Sequence, residues 1–445
     1  MVEKKRLKFP EGFLWGTATS SHQVEGNNTN NDWYYFELKE GNIKNNDRSG
    51  EAVKHYQFYK EDIELMKSIH QNAYRFSIEW SRIEPNKGEW DKNSIEHYKD
   101  VVKTINKNKM LPMVTLHHFS NPKWIADQGG WENEKTVDEF CEYVERIVEE
   151  LIDDVVFWIT INEPIVYIYH SYISGTFPAG KKSDIEAAKT VFLNMLEAHI
   201  SSYEIIHDIA KEKNKFAQVG IAHNITLLEP YHPWNPLNRA LTSYNDYILN
   251  ELFLDSIFNG KVNVNLICKS FPFVENIDVQ ITENVRNMDF IGLNYYTRLF
   301  VKTLSPKKLF TNNKNPKNDI GWEIYPDGIL LALRKLKKYN LPIYITENGV
   351  ADSQDKIRSK FIVQHLQKVL QAIEEGIDVR GYFHWSLMDN FEWALGFKPR
   401  FGLFYVDYDT PNKERIKTES SMIYGMIAEN NGLNDDLIEV YGKPI

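Results

Sequence analysis

Short runs of apolar, β-branched and aromatic residues recur along this chain, separated by longer stretches whose apolar positions fall three and four apart. The runs occupy residues 13–20, 73–80, 111–118, 155–162, 218–225, 288–296, 342–347 and 379–387. Their length and residue types predict strands, and the longer stretches predict amphipathic helices. Residues 49–67 show the helical pattern in Val53, Tyr56, Tyr59, Ile63 and Met66. Similar patterns cover 93–107, 136–151, 185–211, 325–339 and 356–375. Eight strands alternating with helices across a whole chain predict an α/β fold, a single (β/α)8 barrel with its active-site loops at the C-terminal face of the strands. A doubly wound sheet would carry a glycine-rich phosphate loop after its first strand. Here that strand runs into Ser20-Ser21-His22-Gln23-Val24-Glu25-Gly26, which has no such loop. No linker composition divides the chain, so residues 1–445 are expected to form one catalytic domain. Residues 227–237 and 299–321 are predicted as long loops, both rising from the strand ends where barrel sites lie.

Charge narrows the function. Across 445 residues, 62 acidic side chains outnumber 52 Lys and Arg, a net charge of −10. Such a surface offers no electrostatic footprint for nucleic acid or for an anionic membrane, and neither partner is expected. Cys141 and Cys268 are too few for a disulfide framework or a thiolate zinc site, and both are expected to be buried free thiols. The charged start is followed by no apolar core of a signal peptide, and no apolar run is long enough to span a bilayer. A cytoplasmic protein is therefore expected, and Asn27-Asn28-Thr29 and Asn224-Ile225-Thr226 read as chance matches to the glycosylation pattern. Nothing in the sequence specifies an oligomeric state.

Two glutamates carry the candidate chemistry. Thr160-Ile161-Asn162-Glu163-Pro164 closes the fourth run and Ile345-Thr346-Glu347-Asn348-Gly349 closes the seventh. An ionisable group directly after a β-branched strand must be paired or solvated, and Pro164 and Gly349 stop each strand at the barrel mouth. Two carboxylates facing one cavity are what glycosidic hydrolysis requires.

On these two segments the chain resembles glycoside hydrolase family 1, the β-glucosidase family. The resemblance extends to residues 13–26, to Tyr74-Arg75-Phe76-Ser77-Ile78-Glu79-Trp80-Ser81-Arg82, to Gly292-Leu293-Asn294-Tyr295-Tyr296 and to residues 384–393. It implies Glu163 as acid/base and Glu347 as nucleophile of a retaining β-glycosidase acting on terminal β-glucosyl residues. It further implies Gln23, His118, Asn162, Glu392 and Trp393 as holders of the non-reducing sugar, Trp385 as its stacking platform and Phe401 as an aromatic beside it. Arg75, Asn294 and Tyr296 would surround the nucleophile, with Trp322 toward the leaving group. The implied partner is a small-molecule β-glycoside or oligosaccharide, with no cofactor and no metal.

The residue types suit these roles. Amides and carboxylates meet dense hydroxyls, and indole meets the apolar face of a sugar. Arg75 is expected to lower the pKa of Glu347, and ionised Glu347 to raise that of Glu163. Trp15, Trp80 and Trp158 are expected in the core, and His223 and His232 as loop histidines. His117-His118 has no third ligand at metal spacing. Two other readings are a 6-phospho-β-glycosidase, opposed because Glu392 would repel a phosphate dianion, and a non-catalytic sugar-binding protein on the same scaffold.

Overall fold

The computed structural model describes residues 7–267, 274–302, 309–311, 315–443 and 445. Strands β1 (Leu14–Ala18), β2 (Ala73–Ser77), β3 (Leu111–His117), β4 (Phe157–Asn162), β5 (Gln218–Asn224), β6 (Phe290–Asn294), β7 (Ile343–Asn348) and β8 (Val379–Trp385) each occupy one of the predicted runs. They pair in parallel in chain order, and β8 pairs with β1 to close the barrel. Helices α1 (His55–Lys67), α2 (Lys92–Lys107), α3 (Lys135–Leu151), α4 (Ile185–Glu212), α5 (Pro236–Asn250), α6 (Leu252–Asn259), α7 (Asp327–Leu336), α8 (Arg358–Glu374) and α9 (Glu419–Asn430) connect and cover them. Side-chain caps set several starts: Asp91 accepts from the Ser94 amide before α2, and Asp184 from that of Ala187 before α4.

Strand alternation divides two cores. Leu14, Ala18, Ala73, Met113, Phe157, Ile159, Ala222, Phe290, Tyr344 and Phe383 fill the barrel interior, while intervening residues such as Trp15, Tyr74 and Trp158 pack outward against the helices. Trp15, Trp80 and Trp158 are core residues, as expected. Gly16 is a packing requirement, because a Cβ there would lie 2.5 Å from the Phe383 ring.

Several expectations are corrected. The helices α5, α6 and α9 lie in stretches where no helix was expected. The segments expected as loops are partly strands. Leu227–Pro230 pairs in parallel with Arg298–Val301, which pairs with Leu309–Phe310 in a small sheet after β5 and β6. His223 lies buried in β5, where its Nε2 hydrogen-bonds the Asn250 carbonyl at 3.0 Å. Cys141 is a free thiol but only partly buried; burial still pushes its pKa up to about 12. Cys268 lies outside the described residues.

Candidate active site

Strict alternation would not deliver the site. In β4, Ile159 faces the barrel interior, so Ile161 should follow it and Asn162 should point out. A register shift against β5 between Ile159 and Asn162 reverses this, and Asn162 enters the mouth. Register also shifts between β7 and β8 from Ile345 to Asn348, the stretch that carries Glu347. Glu163 follows in a left-handed conformation, φ 46° and ψ 58°, its amide donating to the Ala222 carbonyl at 2.7 Å. A non-glycine residue there is strained by roughly 1–3 kcal/mol, a feature that clusters at functional sites. Gly349 admits no side chain, since a Cβ would lie 1.9 Å from the Trp385 carbonyl oxygen.

Glu347 is held by charge. Its Oε1 accepts from Arg75 Nη1 at 2.7 Å and its Oε2 from the Tyr296 hydroxyl at 2.6 Å. Arg75 is fully buried and also donates to the Thr346 carbonyl at 3.0 Å, to Thr115 Oγ1 at 3.2 Å and to Asn162 Oδ1 at 2.6 Å. Glu163 is held by neutral amides: its Oε1 accepts from Asn294 Nδ2 at 2.8 Å and Asn224 Nδ2 at 3.2 Å. Asn294 also donates to Asn162 Oδ1 at 3.2 Å, so one network joins both glutamates.

The electrostatics differ from expectation in one sign and one cause. Burial raises the Glu347 pKa above the ordinary carboxylate value; Arg75 and Tyr296 pull it back without reversing it. The expected net lowering is therefore not found, because desolvation of a buried carboxylate outweighs one ion pair. Glu163 is raised to about 8, as expected in direction, but burial is the larger cause and the charge of Glu347 the second. Glu392 is also raised to about 8 by burial and by Glu347.

The remaining candidates line the same mouth. Gln23 donates to Asn390 Oδ1 at 3.0 Å, the Phe391 carbonyl at 2.9 Å and Glu392 Oε2 at 3.4 Å. His118 Nε2 accepts from Asn162 Nδ2 at 3.1 Å, which leaves the proton on Nδ1. Burial, with Arg75 nearby, keeps this imidazole neutral. Its ring lies 6.0 Å from that of Trp385 and 6.1 Å from that of Trp393, stacked against both. Phe401, Tyr296 and Trp322 form an aromatic triangle with ring separations of 5.5 to 6.4 Å.

Asn224 escaped the sequence reading, where it appeared only as a chance glycosylation match. Its amide instead faces Glu163. A signal was present, because β4, β5, β6 and β7 all end on asparagine: Asn162, Asn224, Asn294 and Asn348.

A closed parallel barrel with one charge-paired and one amide-held carboxyl at its C-terminal mouth defines a protein built for glycosidic-bond chemistry. The family model for glycosyl hydrolase family 1 matches residues 5–433. The chain belongs to that family. Beta-glucosidase A from Thermotoga maritima is 36% identical, covering 96% of this chain and 99% of its own length. The solved structure of a beta-glycosidase from Pyrococcus horikoshii superposes with a TM-score of 0.88 at 40% identity, over 99% of each chain. That of the beta-glucosidase from Thermotoga maritima in complex with glucoimidazole gives 0.87 at 34% identity, over 96% of this chain and 100% of that one. A 6-phospho-beta-galactosidase from Staphylococcus epidermidis stands at 30% identity over 95% of this chain and 98% of its own. Among the described residues, no helix is long and apolar enough to cross a membrane.

Proposed function

We propose that this chain is a retaining β-glucosidase, one catalytic domain acting on terminal β-glucosyl residues of small glycosides or oligosaccharides. The observation that carries this reading is the unequal holding of two neighbouring carboxyls. Glu347, gripped by Arg75 and Tyr296, is set to attack the anomeric carbon. Glu163, among neutral amides and with a pKa pushed up to about 8, is set to protonate the leaving oxygen. It then takes a proton from water as the glycosyl ester on Glu347 is hydrolysed. The carboxylate Glu347 thus becomes an ester, which removes the second of the two causes that raise the Glu163 pKa and prepares Glu163 for its second role as base.

The sugar would be held by Gln23, His118, Asn162, Glu392 and Trp393. His118 offers its Nδ1 proton, and Trp385 stacks on the apolar face beside Phe401. Arg75, Asn294 and Tyr296 hold the glutamates, and Trp322 borders the leaving-group side. The reading calls for no cofactor or metal, and a free Cys141 suits a reducing cytoplasm. A panel of nitrophenyl β-glycosides, with product anomers followed by NMR, tests it. The β-glucoside should be turned over with β-glucose appearing first. No turnover of any β-glycoside, as for a sugar-binding protein, or α-product first, would overturn it.

The 6-phospho-β-glycosidase reading is weakened on different grounds from those first expected. With a pKa near 8, Glu392 is mostly protonated at neutral pH, so simple repulsion of a dianion is smaller than the sequence suggested. What opposes a phosphate is that, among the described residues, no Lys or Arg pairs with Glu392, which is held by Gln23 and Trp385 and sits within the field of Glu347. Glu392→Ser should improve relative tolerance of a 6-phosphate while weakening β-glucoside hydrolysis. Equal fractional losses on both substrates would show that Glu392 does not face the 6-position.

A further inference from the structure

Both amides that hold Glu163 are themselves oriented by a threonine hydroxyl. Thr346 Oγ1 donates to Asn294 Oδ1 at 2.7 Å, and Thr226 Oγ1 donates to Asn224 Oδ1 at 2.9 Å. Each hydroxyl ties down the amide oxygen, so each NH2 must turn the other way. Both turn onto the same atom, Glu163 Oε1. Thr226 is in turn fixed by the last residue of α5. Its amide donates to Asn250 Oδ1 at 3.1 Å, and Asn250 Nδ2 donates to the Thr226 carbonyl at 2.9 Å and to Asp246 Oδ1 at 2.7 Å. Asn250 is 1% exposed, and Asp246 is paired with Lys335 of α7 at 2.7 Å. A polar chain therefore runs from helix α5 through Asn250, Thr226 and Asn224 to the carboxyl of Glu163.

This arrangement has a consequence for where the proton sits. A carboxylic acid has one hydroxyl oxygen and one carbonyl oxygen. Two N–H groups pointing at Oε1 favour that oxygen as the carbonyl, the stronger acceptor of a carboxylic acid, and place the O–H on the other oxygen. We infer that Thr226 is a positioning residue for the acid/base step: by fixing the amide of Asn224, and together with the Thr346–Asn294 pair, it reserves Oε2 of Glu163 for the transferable proton. In glycosylation that proton passes from Oε2 to the leaving oxygen as its bond to the anomeric carbon breaks and Glu347 forms the new one. In deglycosylation water returns a proton to Oε2. Without the Thr226 hydroxyl, the Asn224 amide is free to flip. Its carbonyl oxygen then accepts a hydrogen bond from a proton on Oε1, on the wrong oxygen for transfer.

The inference rests on the acid/base reading of Glu163, and the test separates the two. The variants are Thr226→Val, which keeps the shape and deletes the hydroxyl, Thr226→Ser, which restores it, and Glu163→Ala. Each is assayed for kcat/KM against pH on 4-nitrophenyl β-glucoside, whose leaving group needs no proton, and on cellobiose, whose leaving group does. Thr226→Val should leave the nitrophenyl kcat/KM unchanged and lower that for cellobiose by roughly 10–100-fold, less than the 10²–10⁴-fold carried by a general acid. Its basic limb should move to higher pH, since a donor that favours ionised Glu163 has been lost. Thr226→Ser should restore both readouts. Equal losses on the two substrates, or an unmoved basic limb, would reduce Thr226 to a structural or aglycone-binding role and overturn the inference. If instead Glu163→Ala kept full activity on cellobiose, the acid/base reading itself would fall.

Discussion

Replacing Glu347 by Gln isolates the electrostatic coupling on which the proposed mechanism depends. The amide keeps the size of the side chain and can still meet Arg75 and Tyr296, but it carries no charge. Glu163 then loses the second of the two causes that raise its pKa, while burial, the first, remains. Two charges roughly 5.5 Å apart, the spacing of a retaining pair, interact by about 3 kcal/mol at an effective dielectric constant near 20. That is roughly a hundredfold in the protonation equilibrium, so the pKa of Glu163 should fall from about 8 to about 6. Arg75, released from its ion pair, acts in the same direction. At pH 7 the group would change from about nine-tenths protonated to about one-tenth. The assay is a carbon-13 NMR titration of protein labelled at the glutamate carboxyl, with the Glu163→Gln/Glu347→Gln double variant assigning the resonance. An unchanged or raised value in Glu347→Gln would mean that the charge of Glu347 does not govern Glu163, and the role switch between the two half-reactions would lose its cause.

Glu163→Ala should still form the glycosyl-enzyme from a nitrophenyl glycoside, giving a burst and then slow turnover that azide rescues as the β-glycosyl azide. Glu347→Ala should show no burst and yield the α-azide; the opposite stereochemistry would exchange the two roles. The raised pKa values of Glu163 and Glu392, both about 8, mean that the folded state holds these protons more tightly than the unfolded chain. The stability this contributes is present in full below the unfolded value near 4.5 and is lost as pH rises through 8. Thermal midpoints should therefore lose this contribution progressively between about pH 4.5 and 8.5, and Glu163→Gln should flatten that fall; a parent-like slope in the variant would contradict it. Gly349→Ala places a methyl against the Trp385 carbonyl, 1.9 Å away, so either the loop after β7 shifts or the fold weakens. Activity should drop by roughly 10–100-fold, since a 1 Å misplacement can cost about 10²-fold, and full activity would show that the backbones can separate freely.

The barrel was legible because its evidence is local. Each strand is a short apolar run bounded by turn residues, and eight such runs with helical periods between them admit few architectures. The paired glutamates were legible for a similar reason: a carboxyl after a β-branched strand conflicts with burial unless it has work to do, and Pro164 and Gly349 mark where each strand stops. The small sheet formed by Leu227–Pro230 with Arg298–Val301 was not legible, because it pairs segments some seventy residues apart and leaves no periodic mark in either. The inward turn of Asn162 was equally hidden, because it depends on a register shift against β5 that single-strand alternation cannot express. The sequence also named Arg75 and Glu347 as partners but could not weigh them. The sign of the Glu347 shift follows from how completely the carboxyl is withdrawn from water, and desolvation is a property of the assembled barrel. Residue types and their order determined which groups could do chemistry; only the closed sheet, by excluding solvent and setting which amide faces which oxygen, decided their charge states and the direction of their protons.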